Sequence, residues 1–149
     1  MVYFGDTYAS VMMYSPDHVA TNEKDFWYED PKIPSFTNYW LANDHNSGSD
    51  AHLNMFFACQ VEIQGFYIKN THGAAHNDRG TDAFKIFSSD SSNGPWTEIV
   101  SGNLPDARNV ENVPTLDFAL ETPITTQYIK FQIESYFDWG GGLQYFAAY

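Results

Sequence analysis

A chain of 149 residues has the length of one ordinary domain, and its 43% hydrophobic content is enough for a packed core. Seven Lys and Arg against 19 Asp and Glu give a formal charge of −12, with the acids spread along the whole chain. No basic stripe exists to neutralise phosphates, which argues against nucleic acid as a partner, and no apolar run approaches the length that spans a bilayer.

The region from Tyr14 to Asn54 has little periodicity. Its prolines (Pro16, Pro31, Pro34) and the polar run NDHNSGSD at 43–50 read as long loops at one end of a domain. Cys59 is the single cysteine, which excludes an intramolecular disulfide; its neighbours Phe56, Phe57, Ala58 and Val61 predict a buried thiol in a strand. Val61 and Ile63 begin a strand, and Phe66 and Ile68 follow in the opposite phase after Gly65, the mark of a bulge. A polar loop, NTHGAAHNDRG at 70–80, comes next. Phe84–Phe87 and Trp96–Val100 flank SSDSSNGP, whose Asn93-Gly94 pair signals a hairpin. Leu116, Phe118 and Leu120 alternate with Asp117 and Ala119, and Ile129, Phe131 and Ile133 alternate with Lys130, Gln132 and Glu134. Both runs have the period of half-buried strands. Trp40, Phe84, Ile86, Trp96, Ile129, Phe131 and Ile133 are the expected core.

Several short strands separated by turns, without a long helical period, describe an all-β sandwich or barrel, read here as one domain over 1–149. The 12 Phe, 10 Tyr and 4 Trp exceed the needs of one small core, so some rings belong on the surface. The start, MVYFGDTYAS, shows no signal-peptide pattern, and no Asn-X-Ser/Thr sequon occurs. The compartment stays open.

The order of short motifs resembles discoidin or coagulation-factor type C domains, and the resemblance implies their all-β, antiparallel jelly-roll β-sandwich of the galactose-binding-like kind. Gly80, Thr81, Phe84 and Ile86 match the family's "gT-x-x-F-x-I" strand, Ser88–Asp90 its "S-x-D" turn, and Trp96-Thr97 its Trp-Thr pair. Thr37-Asn38-Tyr39-Trp40 resembles the "T-x-Y/F-W" element, and Gln127-Tyr128-Ile129-Lys130-Phe131 resembles "a-R-Y-I-R/K-F". Three departures stand out: Ala58-Cys59-Gln60 in place of "D-L-G", Gln127 in place of Arg, and Gln144 in place of the terminal Glu.

The resemblance implies a binding module without catalysis, whose partner is a carbohydrate or glycoprotein, or else other proteins in a large assembly. No G-x-S-x-G, Cys–His pairing or phosphate-cradling glycine loop points to an enzyme. Sugar recognition needs planar polar groups that reach vicinal hydroxyls and an aromatic face for the ring. His72, His76, Asn77 and Arg79 supply the first, and Tyr136, Phe137 and Trp139 supply the second. Asn70, Asp78 and Arg79 have an alternative role in holding the loop itself. His72 and His76 share a spacing seen in zinc sites, but Gly73 and Gly80 oppose the helix that spacing requires. The resemblance also implies a structural calcium near Asp30 and Thr37, with Glu29 as a substitute. If that site forms, calcium raises folding stability by about 2.7 kcal/mol at a hundredfold excess over its dissociation constant. Melting curves that coincide in calcium and in chelator rule the site out.

Overall fold

The computed structural model describes residues 40–42, 45–73 and 76–149, together with the backbone of three N-terminal strands at 2–4, 7–9 and 11–14. Asp30 and Thr37, the expected calcium ligands, lie outside the described residues.

Among the described residues nine strands follow one another: β1 Val2–Phe4, β2 Thr7–Ala9, β3 Val11–Tyr14, β4 Trp40–Leu41, β5 His52–Asn70, β6 Ala83–Ser89, β7 Thr97–Asn103, β8 Thr115–Ile133 and β9 Gly142–Ala148. One 3-10 turn, Gly48–Asp50, precedes β5. No helix among the described residues is long and apolar enough to cross a membrane. All strand pairings are antiparallel.

The two 19-residue strands, β5 and β8, shape the molecule. The first half of β5 pairs with the second half of β8 (Leu53 opposite Phe131), and the second half of β5 pairs with the first half of β8 (Ile68 opposite Leu116). Between these stretches the register shifts twice, at Phe56/Val61 and at Ile63/Gly65. Both strands therefore turn a corner together and pass from one layer to the other, a known way of joining two sheets. One layer holds β3, the start of β5, the end of β8, β6 and β7; the other holds β4, β9, the end of β5 and the start of β8. The runs around Leu116 and Ile129, which read as separate strands, belong to this one bent strand.

The layers close on an aromatic core. Phe131 lies 5.4 Å from Phe146 and Phe84 lies 5.0 Å from Phe118, ring to ring across the two layers. Trp40, Phe84, Ile86, Ile129, Phe131 and Ile133 are buried, as alternation and motif position predict. Ile63 before the bulge and Phe66 and Ile68 after it are buried too, so the change of phase at Gly65 keeps apolar side chains inward.

Two expectations fail. Cys59 is exposed: it sits with Ala58 and Gln60 in the first register shift, where the chain leaves the ladder to round the corner. Trp96 is half-buried on the outside of the sandwich, with the Lys130 ammonium 4.6 Å from its ring centre and 4.8 Å from that of Phe87. A cation held between two rings stabilises the indole without a place in the core. Burial among these groups lowers the Lys130 pKa.

At the corner, Gly65 has no side chain because the Tyr149 ring lies on it; a Cβ there would overlap the phenol. The Tyr149 hydroxyl donates to Asp117 Oδ1 at 2.6 Å, and its ring stacks on Tyr67 at 4.5 Å. The hydrogen bond to the Asp117 carboxylate pushes the phenol from its ordinary 10.0 up to about 12. A raised folded-state pKa contributes stability that is complete below the unfolded value and is lost as pH climbs from about 10 to about 12. In an ultraviolet titration one tyrosine ionises near the top of that window, and Asp117→Asn returns it towards the ordinary range. A titration unchanged by Asp117→Asn removes this assignment.

Candidate functional site

β5 ends at Asn70, and the loops at that end of the sandwich are built around its buried carboxamide. Asn70 Oδ1 accepts from the backbone N–H of Thr71 at 3.0 Å and of Thr81 at 2.9 Å. Asn70 Nδ2 donates to the carbonyls of Thr81 at 2.8 Å and Pro105 at 2.9 Å. One side chain thus closes the neck of the 71–81 loop and attaches the 104–114 loop to it. Thr81 extends the clamp: its hydroxyl donates to Gly142 O at 2.8 Å and accepts from Gly142 N at 3.1 Å.

Backbone rungs then lay three loops side by side. His45 N–H donates to the Trp139 carbonyl at 2.8 Å, and Trp139 N–H donates to the Asp78 carbonyl at 3.1 Å. Gly80 N–H reaches Gly140 O at 3.0 Å, and Phe137 N–H reaches Gly80 O at 2.8 Å. Gly80 is required by this approach, since a Cβ would meet Thr71 O at 3.2 Å and the Phe137 ring at 3.3 Å, with φ at +158°. The non-glycine residues described with left-handed backbone are His45 (φ 63°), Asn77 (53°), Asn109 (61°) and Asp138 (65°). All four lie in these end loops. Asn, Asp and His tolerate that conformation best, and such strain gathers where loops are shaped for a purpose.

The product is an aromatic surface open to solvent. Trp139 is 50% exposed, an unusual state for the largest apolar side chain. The His45 imidazole lies 5.1 Å from the indole at 37°, and Tyr136 lies 6.4 Å beyond the imidazole with its ring packed partly against the core. Charged groups border it. Arg79 Nε is 3.6 Å from Asp78 Oδ1, and the Arg79 side chain is only 12% exposed. Arg108 binds Asp106 at 2.7 Å and Asp138 at 3.2 Å, and its guanidinium stands 5.8 Å over the Phe137 ring. Hydrogen bonding to Arg108 lowers the Asp106 pKa, and the same bond raises that of Arg108.

All seven residues expected to bind a ligand fall in the loops of this end. Trp139 and His76 are exposed, and the His76 N–H donates to Gly73 O at 3.1 Å. His72, Arg79, Tyr136 and Phe137 are half-buried. Asn77 is occupied by the neighbouring loop, with its amide donating to Asn109 Oδ1 at 2.9 Å and accepting from Asn109 N at 2.8 Å. Asn70 takes the loop-holding role. The structure adds His45, Arg108 and Asp138, which the sequence reading did not single out; the polar run at 43–50 was the only trace of His45.

Gln144, where the resemblance has a glutamate, is buried, and its Nε2 has no hydrogen-bond partner. A carboxamide offers calcium one neutral oxygen and an amide that cannot ligate. Among the described residues no group of three His, Cys, Asp or Glu side chains is placed to hold a metal. The expected ligands Asp30 and Thr37 lie outside the described residues, and no role for the ion is derived.

No family model and no curated protein matches the sequence. Solved structures do. The family 32 module of Clostridium perfringens NanJ, in complex with galactose, superposes with a TM-score of 0.63 at 14% identity, over 93% of this chain and 92% of that one. The chain has the fold of family 32 carbohydrate-binding modules. The first such module of a C. perfringens family 31 glycoside hydrolase gives 0.65 at 11% identity, over 93% of both chains. A two-module fragment of C. perfringens ZmpB in complex with GalNAc gives 0.64 at 12% identity, over 94% of this chain but 33% of that one.

The clamp makes a prediction. Asn70→Ala leaves buried N–H and carbonyl groups of Thr71, Thr81 and Pro105 without partners, and costs about 2–4 kcal/mol in urea unfolding. Asn70→Asp keeps the shape but faces two carbonyls with a carboxylate, and also destabilises. Either variant unfolding like the wild type shows that the loops close without it.

Proposed function

We propose that this protein is a non-catalytic carbohydrate-binding module that takes neutral sugars of the galactose or N-acetylgalactosamine kind on its loop end. The observation that carries this reading is the half-exposed Trp139 ring, edged by His45 and bordered by Arg79, Asp78 and Asp138, on a fold shared with modules bound to galactose and GalNAc. An indole face receives the apolar C–H side of a pyranose, while imidazole, guanidinium and carboxylate groups address its hydroxyls. The carboxylates at the rim and the chain's charge of −12 disfavour sialic and uronic acids. His72, His76, Asn77, Tyr136 and Phe137 shape the loops around the platform, and sugar contact is assigned first to Trp139, His45 and Arg79.

Open sites lose much of their hydrogen-bond energy to competition with water, so one site binds on the order of 0.1–1 mM. Calorimetry and a glycan array test this directly. Trp139→Ala removes an exposed ring, leaves stability within about 0.5 kcal/mol and weakens binding at least about tenfold. A folded protein that binds no sugar on the array overturns the reading, and docking to proteins in an assembly becomes the better account.

A further inference from the structure

The end of the sandwich opposite the loops carries a second concavity. It is bounded by the β6–β7 hairpin and by the corner of β8, lined by Ser88, Asp90, Ser91, Pro95, Thr97 and Thr125 among others, and has a volume of about 310 Å³. That volume is at the lower end of the range for small-molecule sites.

Its walls are fixed by their own hydrogen bonds. Ser89 Oγ donates to Ser91 O at 2.8 Å and accepts from Ser91 N at 3.1 Å, and Gly94 N–H donates to Ser91 O at 3.1 Å. Thr126 Oγ1, from the β8 corner, donates to Ser89 O at 2.9 Å and ties the hairpin to the strand. Gln60, on the exposed first bulge of β5, donates to Asp90 Oδ1 at 3.1 Å and orients that carboxylate. What remains available is specific: among the described residues the hydroxyls of Ser88, Thr97 and Thr125 and the second oxygen of Asp90 have no hydrogen-bond partner.

This set of groups selects a ligand class. An anion meets the Asp90 carboxylate with no cation among the lining residues. Calcium takes six to eight oxygens and usually several carboxylates, while one is present. An apolar ligand would strip water from hydroxyls and give them nothing in return. A neutral polyol fits: the carboxylate accepts from vicinal hydroxyls, the Ser and Thr hydroxyls donate or accept as needed, and the Pro95 ring and Thr methyls offer apolar contact.

We propose that this cleft is a second carbohydrate site, for a neutral pyranose or the end of a short oligosaccharide, separate from the loop end. The proposal takes its ligand class from the carbohydrate-binding reading and adds a second point of attachment. With sites at opposite ends of the sandwich, one chain links two glycan branches, and weak sites gain from simultaneous engagement.

Amide-shift mapping by NMR separates the two sites. Galactose, N-acetylgalactosamine and a short oligosaccharide of each are titrated into the wild type, Trp139→Ala, Asp90→Ala and Thr125→Val. Two groups of shifts are expected in the wild type, one at His45, Asp78 and Trp139 and one at 88–97 and 125–126. The hairpin shifts persist in Trp139→Ala, and they weaken at least tenfold in Asp90→Ala and Thr125→Val, both surface changes. Loop shifts without hairpin shifts overturn the second site and leave the first reading standing. Hairpin shifts alone support the second site and overturn the first. Absence of both overturns both.

Discussion

The buried amide of Asn70 makes four hydrogen bonds to three backbone segments, and the loop end of the sandwich hangs on it. A loop of this length has no ladder of its own, and its buried backbone groups need partners. Asn alone among small side chains offers a donor pair and an acceptor on one rigid plane, so it serves N–H and carbonyl groups at once. Closing the neck at Thr71 and Thr81 places Asp78 and Arg79 beside the 136–141 turn, and that turn in turn presents Trp139. The clamp is therefore upstream of any ligand chemistry. Residues such as Asn77 and Arg108, which look like recognition groups, spend their side chains on holding neighbouring loops in place.

The second constraint is the shared corner of β5 and β8. Two strands that pair on both sides of a bend must shed residues from the ladder where they turn. Gly65 makes this possible at the β5 bulge, because only a residue without a side chain lets the Tyr149 ring lie against the backbone. Tyr149 then bonds three ways, through its carbonyl and N–H to the 64–65 backbone and through its phenol to Asp117. The bend also brings the β8 corner against the β6–β7 hairpin, and so forms the hydroxyl-lined cleft. One geometric feature sets up both ends: the strands leave the loop end, turn at the corner and return.

The parts of this fold legible in the sequence were those decided locally. Ile129, Phe131 and Ile133, or Phe84 and Ile86, alternate because each strand has one wet face, and the inversion at Gly65 marks the bulge. Cys59 was misread because its apolar neighbours suggest a ladder, whereas its exposure depends on which residue of β8 pairs with Val61. Trp96 was misread because its partner is Lys130, a cation on β8, reached across β6. His45 and Trp139 are far apart in the chain and meet only through a backbone rung. Composition showed that aromatic rings should reach the surface, and the glycine-rich turn before β9 offered Trp139 with Tyr136 and Phe137; the imidazole beside Trp139 was not legible.

The net charge and the exposed aromatics are best understood together. A half-exposed indole in a shallow loop site invites non-specific association, and so would the stacked Tyr67 and Tyr149 rings at the corner of β5. A field of excess carboxylates keeps copies of this chain apart without desolvating any of them. Because neutral sugars carry no charge, the same field takes nothing from their binding, whereas it would weaken any site built for phosphates or acidic glycans. Strong acidity and an open aromatic platform are thus compatible for neutral ligands and in conflict for anionic ones, so the charge balance sets aside phosphates and acidic glycans and leaves the choice among neutral ligands to the loop geometry.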